Sequence, residues 1–232
     1  MQDTWNVLVT GGTRGIGRAI AERLGAEGHR VAILGRDPGH LERACGELRA
    51  LGNEVWGVQA DLEQAGEVAP AVQSAVEQLG GRLDVLINNA GVFDMRPLER
   101  MDLAFWQRFL AINLTAPFLA TQAALPYLRR AQGQVVQINS VAGKQGFPHN
   151  TAYCTTKYGL LGFSEALAAE VEADGLRVRS VYPGPTRTDI FNGVDGDWDH
   201  DSMNLPEDVA AVVLAALQAP KDQRHFDVPP PR

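Results

Sequence analysis

The sequence predicts an α/β fold: a doubly wound, mostly parallel sheet of seven strands with helices on both faces. Three observations carry this. Short apolar runs alternate with helix-length segments along all 232 residues, and no Ser/Pro-rich linker interrupts them. Two runs, Val31-Ala-Ile-Leu34 and Val85-Leu-Ile87, are apolar at every position, as strands covered on both faces must be. The first run, Val7-Leu-Val-Thr10, passes through a glycine-rich turn into a helix, the opening of a Rossmann-type unit.

Taken in order, strands are expected at 6–10, 30–35, 54–60, 83–88, 134–139, 177–182 and 225–228. Helices are expected at 15–27, 38–51, 64–79, 102–131, 151–173 and 206–218. The start of the last helix shows in Leu205-Pro-Glu-Asp208, with proline in the first turn and acids close behind. The chain reads as one domain, 1–232, with the first strand near the centre of the sheet and ligands outside the carboxyl ends of the strands.

Hydrophobic residues make up 45% of the chain and charged residues 21%, ordinary for a globular protein. A net charge of −7 argues against a broad nucleic-acid surface, so no nucleic-acid partner is expected. Cys45 and Cys154 stand in no metal-ligand spacing and read as buried small hydrophobes. The N-terminus lacks signal-peptide regions and no apolar run looks long enough to span a bilayer, so a cytoplasmic protein without a membrane partner is expected.

The turn after the first strand is Gly11-Gly-Thr-Arg-Gly-Ile-Gly17, spaced Gly-x-x-x-Gly-x-Gly. Glycines there let a pyrophosphate approach the backbone, and the helix start offers free N–H groups to that anion. Tyr153 and Lys157 stand four residues apart, and Ser140 lies thirteen residues before the tyrosine. On a helix, positions i and i+4 share a face. An ammonium beside a phenol is expected to lower the tyrosine pKa, so that the hydroxyl exchanges a proton near neutral pH.

Together these features resemble the short-chain dehydrogenase/reductase family. The resemblance runs from Thr10 to about Asp208 and rests on the glycine turn, Asp61, Asn88-Asn-Ala-Gly91, Asn113, Ser140, Tyr153-x-x-x-Lys157 and Pro183-Gly184 with Thr188. It implies that hydride passes between C4 of a nicotinamide cofactor and a substrate carbon. Tyr153 is implied as general acid or base, Ser140 as the residue orienting the substrate oxygen, and Lys157 as the ligand of the nicotinamide ribose. Asn113 is implied to hold, through its backbone, a water of a proton relay. The cofactor site implied comprises Gly11, Thr13, Arg14, Gly15, Ile16, Gly17, Asp61, Leu62, Asn89, Ala90, Gly91, Pro183, Gly184, Thr186 and Thr188, besides Tyr153 and Lys157. Plainer readings stand beside some of these: Ser140 and Asp61 as caps of the next segment, Asn113 as the closure of a local turn, and Asn88-Asn-Ala-Gly91 as a turn after a buried strand.

The end of the second strand, Ile33-Leu-Gly-Arg-Asp37, bears on cofactor choice. Gly35 occupies the position where a carboxylate would bind a ribose 2′-hydroxyl, and Arg36 follows it. With Arg14 in the glycine turn, two cations suit a 2′-phosphate, so NADP(H) is expected over NAD(H). Asp37 could reach the ribose if the strand ran one or two residues further.

The family likeness also implies a lid over the nicotinamide, at about 187–205. Asp195, Asp197, Asp199 and Asp201 alternate along it, but a calcium-loop pattern fails at His200 and Pro206, and no metal is expected. Phe93, Phe147, Phe191 and Trp198 could line an apolar pocket. The chain ends without the Asp-Gly-Gly segment of many members, which leaves dimer against tetramer open. The helix at 151–173 is apolar all round, so a homodimer or homotetramer is expected. The expected activity is hydride transfer between NADP(H) and a ketone, aldehyde or secondary alcohol. The alternatives are a 3-oxoacyl-(acyl-carrier-protein) reductase and, more remotely, a non-catalytic NADP(H)-sensing regulatory protein.

Overall fold

Each of the central strands is short, apolar and buried on both faces, and that fixes where it sits. In the computed structural model, which describes residues 4–194, 196 and 198–231, β1 (Asn6–Thr10) is buried at every position. Val7 and Val9 pack with Ile20 and Leu24 on one face, and Leu8 packs with Val72 and Ala75 on the other. Truncating such a residue to alanine costs about 2–5 kcal/mol.

The remaining strands are β2 (Arg30–Gly35), β3 (Val55–Gln59), β4 (Val85–Asn88), β5 (Gln134–Ile138), β6 (Arg177–Tyr182) and β7 (His225–Asp227). All pair in parallel, in the order β3-β2-β1-β4-β5-β6-β7. The helices are α1 (Gly15–Ala26), α2 (Pro38–Ala50), α3 (Ala65–Gln78), α4 (Leu103–Leu110), α5 (Ala116–Ala131), α6 (Thr151–Val171) and α7 (Pro206–Gln218). One buried cluster joins α1, α2 and α7 to one face of the sheet, and a second joins α3, α5 and α6 to the other. Winding reverses between β1 and β4, so the loops after these two strands diverge and open a crevice at their carboxyl ends.

The expected seven-stranded doubly wound sheet is therefore present, with strand ends trimmed by one or two residues. The single helix expected at 102–131 is present as Leu103–Ala131, and a five-residue π turn, Ala111–Thr115, centred on Asn113, is set within it. One correction concerns hydropathy: Leu103–Ala131, at 29 residues, is long and apolar enough by composition to cross a bilayer, with an 18-residue window of mean hydropathy 1.3. Ala120, Ala124 and Leu128 of this segment are buried among α3 and the sheet, the setting of a core helix.

The segment expected as a lid is tied down at its root. Arg187 N donates to the Asn204 carbonyl at 2.9 Å, and Asn204 N donates to the Pro185 carbonyl at 3.0 Å. Between these ends, Thr188 caps a 3-10 turn at Asp189–Phe191, and Asp199 caps another at His200–Ser202. Asp201 faces Arg187 at 4.0 Å. Asp195 and Asp197 lie outside the described residues. Among the described residues no cluster of three or more acidic, histidine or cysteine side chains forms.

Candidate active site

The crevice at the strand ends is a cleft of about 800 Å³. Its first wall is the glycine turn. Gly11 and Gly15 take positive φ of 65° and 54°, conformations open to glycine at no steric cost. Asn89 holds the turn against β4: its amide donates to the carbonyls of Thr10 (2.9 Å) and Gly11 (3.1 Å), while Thr10 Oγ1 accepts from the backbone N–H groups of Asn89 and Ala90. α1 then starts at Gly15 with no side chain capping it, whereas Asp37 caps α2 and Asp102 caps α4. The uncapped start leaves N–H groups for an anion, and a dinucleotide pyrophosphate fits that need.

The second wall carries the reactive side chains. Ser140 stands two residues beyond the end of β5, Tyr153 and Lys157 stand on one face of α6, and all three line the cleft. The Ser140 hydroxyl lies close enough to the Tyr153 phenol to favour its anion, and it accepts from Ala142 N at 3.1 Å, so the residue caps the next segment while lining the cleft. The Lys157 ammonium lies 5.7 Å from the centre of the Tyr153 ring and donates to the Ile138 carbonyl at 2.9 Å. Phe93 meets Tyr153 edge-on, with ring centres 5.0 Å apart.

The expected fall in the tyrosine pKa does not appear. Burial pushes the Tyr153 phenol up to about 12, against a downward pull from the neighbouring Ser140 hydroxyl. Burial likewise lowers the Lys157 ammonium to about 8. Desolvation of two buried neighbours outweighs the attraction that spacing alone suggested. The phenol thus stays protonated at neutral pH, the form a proton donor needs, and part of the tyrosine remains open to the cleft.

Asn113 reaches this wall from behind. Its amide clamps Val92 at both ends, accepting from Val92 N at 2.8 Å and donating to the Val92 carbonyl at 3.0 Å, and it also donates to Thr156 Oγ1 at 3.3 Å. A π turn is a recurrent device at functional positions. Asn113 does not line the cleft, and neither does Gly17. A Cβ on Gly17 would lie 2.3 Å from the Gly11 carbonyl oxygen, so this glycine is required by the packing of helix on turn.

The other expected cofactor residues do line the cleft: Thr13, Arg14, Ile16, Arg36, Asp61, Leu62, Ala90, Gly91, Pro183, Gly184, Thr186 and Thr188. Asp61 Oδ1 also accepts from Glu63 N at 3.1 Å, so it caps its own turn as well. Arg14 lies 3.6 Å from Asp189. Among the described residues Arg36 has no carboxylate within ion-pair distance. Asp37 is occupied: its Oδ1 accepts from His40 N at 2.7 Å, and that bond is the main reason its carboxyl titrates below the usual range.

Sequence reasoning missed His40, Asn139 and Asn150, which also line the cleft. The Asp37–His40 spacing of an N-cap and its third helical residue was a usable signal for the first. Asn139, directly before Ser140, donates to the Lys157 carbonyl at 3.2 Å and fixes α6 against β5.

With this geometry established, likeness to known proteins can be weighed. The family model for short chain dehydrogenases matches residues 5–197. The chain belongs to the short-chain dehydrogenase/reductase family. It is 39% identical over 235 residues to 2-(S)-hydroxypropyl-CoM dehydrogenase 3 of Xanthobacter autotrophicus, covering 95% of this chain and 91% of the relative. It is 37% identical to the 3-oxoacyl-(acyl-carrier-protein) reductase of Aquifex aeolicus, covering 89% and 87%. Among solved structures, an actinorhodin polyketide ketoreductase with NADPH superposes with a TM-score of 0.88 at 31% identity, over 98% of this chain and 97% of that one. An alcohol dehydrogenase from Thermococcus sibiricus complexed with 5-hydroxy-NADP gives 0.87 at 26% identity, over 97% and 95%. As a short-chain dehydrogenase/reductase, the chain is an oxidoreductase.

Proposed function

We propose that this short-chain dehydrogenase/reductase interconverts a ketone or aldehyde with its alcohol, using NADP(H), and that the whole chain works as one catalytic domain with a lid at about 187–205. The observation that carries this reading is the placement of Ser140, Tyr153 and Lys157 together on one wall of a cleft whose opposite wall is an uncapped, glycine-lined helix start. When bound, the nicotinamide dinucleotide supplies or accepts the hydride.

The protein's own residues supply the rest. Ser140 orients the substrate oxygen beside the phenol. Tyr153 donates its proton to that oxygen in reduction and recovers it in oxidation. Lys157 stabilises the negative charge that develops on the phenol oxygen and binds the nicotinamide ribose. Asn113 acts as a positioning residue, holding Val92 and the base of α6, with its backbone at the relay water. Arg14 and Arg36 favour a 2′-phosphate, and His40 lies beside them. The named NADP complexes of similar structures support this preference.

The test is a carbonyl and alcohol panel followed by NADPH absorbance. Tyr153→Phe should lower kcat by roughly 10²–10⁴-fold while leaving NADPH binding intact. Full activity in this variant would overturn the assignment, and an unchanged regulatory output without turnover would favour a sensor.

A second reading, reduction of a 3-oxoacyl-(acyl-carrier-protein), is supported by the likeness to enzymes of that name. It needs a basic docking patch for an acidic carrier. Arg129 and Arg130, at the end of α5, could contribute one, but Arg129 is paired with Asp174 at 2.7 Å and Arg130 lies over the Tyr127 ring, so such a patch is partly spent.

We infer further that two copies associate through α5 and α6, where Phe118 and Tyr158 stand exposed beside half-buried Phe163. Light scattering that returned a monomer at micromolar concentration would remove this. Two unpaired, buried cysteines suit a reducing, cytoplasmic compartment.

A further inference from the structure

The substrate end of the cleft is built of rings. Phe93 stands at its centre: it meets Tyr153 at 5.0 Å, Phe191 at 5.4 Å and Trp198 at 5.8 Å, and Phe191 meets Trp198 at 4.6 Å. These contacts tie the lid to the wall that holds the reactive phenol. The Trp198 indole N–H donates to the Val194 carbonyl at 3.2 Å, which fixes the ring's orientation. Phe147, over a third exposed, lines the same cleft.

Charge at this end is negative in balance. Among the described lining residues, the cations other than Lys157 are Arg14, Arg36, His40 and Arg108, all assigned above to the nucleotide half or paired there, Arg108 with Glu63 at 3.6 Å. Arginines near the mouth are already matched: Arg96 lies 3.9 Å from Asp94 and 3.8 Å from Asp102, and Arg187 lies 4.0 Å from Asp201. Between residues 187 and 205 the sequence carries five aspartates against Arg187 alone. The start of α6 offers only a partial positive charge in return. A carboxylate, sulfonate or phosphate on the substrate would lose hydration among these rings without gaining a partner.

We propose that the carbonyl substrate is uncharged and carries a flat apolar arm, an aryl ketone in its simplest form, and that Phe93 and Trp198 recognise this arm while the acidic lid turns anionic carbonyl compounds away. The proposal rests on the reductase reading and narrows it to a substrate class.

A matched pair of ketones tests it. 4-Acetylbenzamide and 4-acetylbenzoate share shape and differ in charge. With NADPH, kcat/KM for the amide should exceed that for the carboxylate by roughly tenfold or more, and the gap should shrink in high salt as the lid's field is screened. Phe147→Arg should narrow the gap by raising turnover of the carboxylate; if that variant fails to fold, the salt series on the wild-type protein carries the test. Binding gives a second readout: 4-acetylbenzamide should quench indole fluorescence in the cofactor-free protein, and Trp198→Phe should abolish that quenching. Equal turnover of amide and carboxylate overturns charge selection. Reduction of 2-heptanone without reduction of 4-acetylbenzamide overturns aryl recognition and leaves the reductase reading standing. No reduction of any ketone overturns both.

Discussion

Thr13 occupies the space that a side chain on Gly35 would need: a Cβ there would lie 2.4 Å from the Thr13 methyl. This contact bears on the cofactor. A carboxylate at residue 35 would favour a ribose 2′-hydroxyl over a 2′-phosphate, but Gly35→Asp alone must displace the threonine, an overpacking cost of about 1–3 kcal/mol. Thr13→Ser removes the offending methyl. The double variant should fold with near-normal Tm and prefer NADH, while Gly35→Asp alone should melt earlier. Arg36→Ala gives the complementary arm, raising KM for NADPH far more than for NADH. Unchanged NADPH preference in the double variant and in Arg36→Ala would sink this account of selectivity.

Asn113 and Val92 exchange two hydrogen bonds through one side-chain amide, at 2.8 and 3.0 Å. Alanine at 113 strands both backbone groups of Val92, at about 1–3 kcal/mol each if neither finds water. Asn113→Ala should therefore lower Tm. It should also lower kcat with little change in the NADPH dissociation constant, because Val92 adjoins the Phe93 ring that packs on Tyr153. Loss of Tm with kcat fully retained at a permissive temperature would reduce Asn113 to a packing residue.

The contrast between what sequence made legible and what it hid has a physical basis. Continuous apolar runs such as Val31-Ala-Ile-Leu34 announce strands covered on both faces, and their alternation with helices announces a parallel sheet. Tyr153 and Lys157 share a helix face by arithmetic alone. The π turn at Ala111–Thr115 was hidden because its partner, Val92, lies twenty-one residues away in sequence. The sign of the Tyr153 shift was misread for a similar reason. Spacing reveals a nearby ammonium, whereas burial depends on Phe93, Ile138 and the surrounding walls, which come together only in the fold. The packing demand on Gly17 was hidden as well, because its close approach to Gly11 exists only in the folded turn.

Rate should report the state of Lys157. Burial lowers its ammonium to about 8 and raises the Tyr153 phenol to about 12. The phenol thus remains a proton donor across the working range, and the charge that stabilises its anion is lost first. For carbonyl reduction, kcat should be level below pH 8 and fall as pH rises through that value. Lys157→Arg keeps its charge to much higher pH, so any activity it retains should show no such fall. A wild-type profile that stays flat to pH 9.5 contradicts this assignment.

The same burial makes Lys157 a cost to stability at neutral pH. Its folded pKa, about 8, lies below the ordinary 10.5, so between these values the unfolded chain binds the proton that the folded chain has released. Stability then rises with pH across that window, because the unfolded state holds more protons. Below pH 8 the full penalty applies, on the order of 3 kcal/mol for a shift of this size. Tyr153 acts in the opposite sense only above pH 10, where the unfolded phenol ionises before the folded one. Lys157→Met removes the penalty while keeping the length of the side chain, at the smaller expense of the hydrogen bond to the Ile138 carbonyl. The variant should be more stable than wild type at pH 7 by urea denaturation, inactive or nearly so, and its advantage should shrink steadily towards pH 10. An advantage that is absent at pH 7, or that does not change between pH 7 and pH 10, would show that the buried ammonium finds compensation elsewhere in the fold.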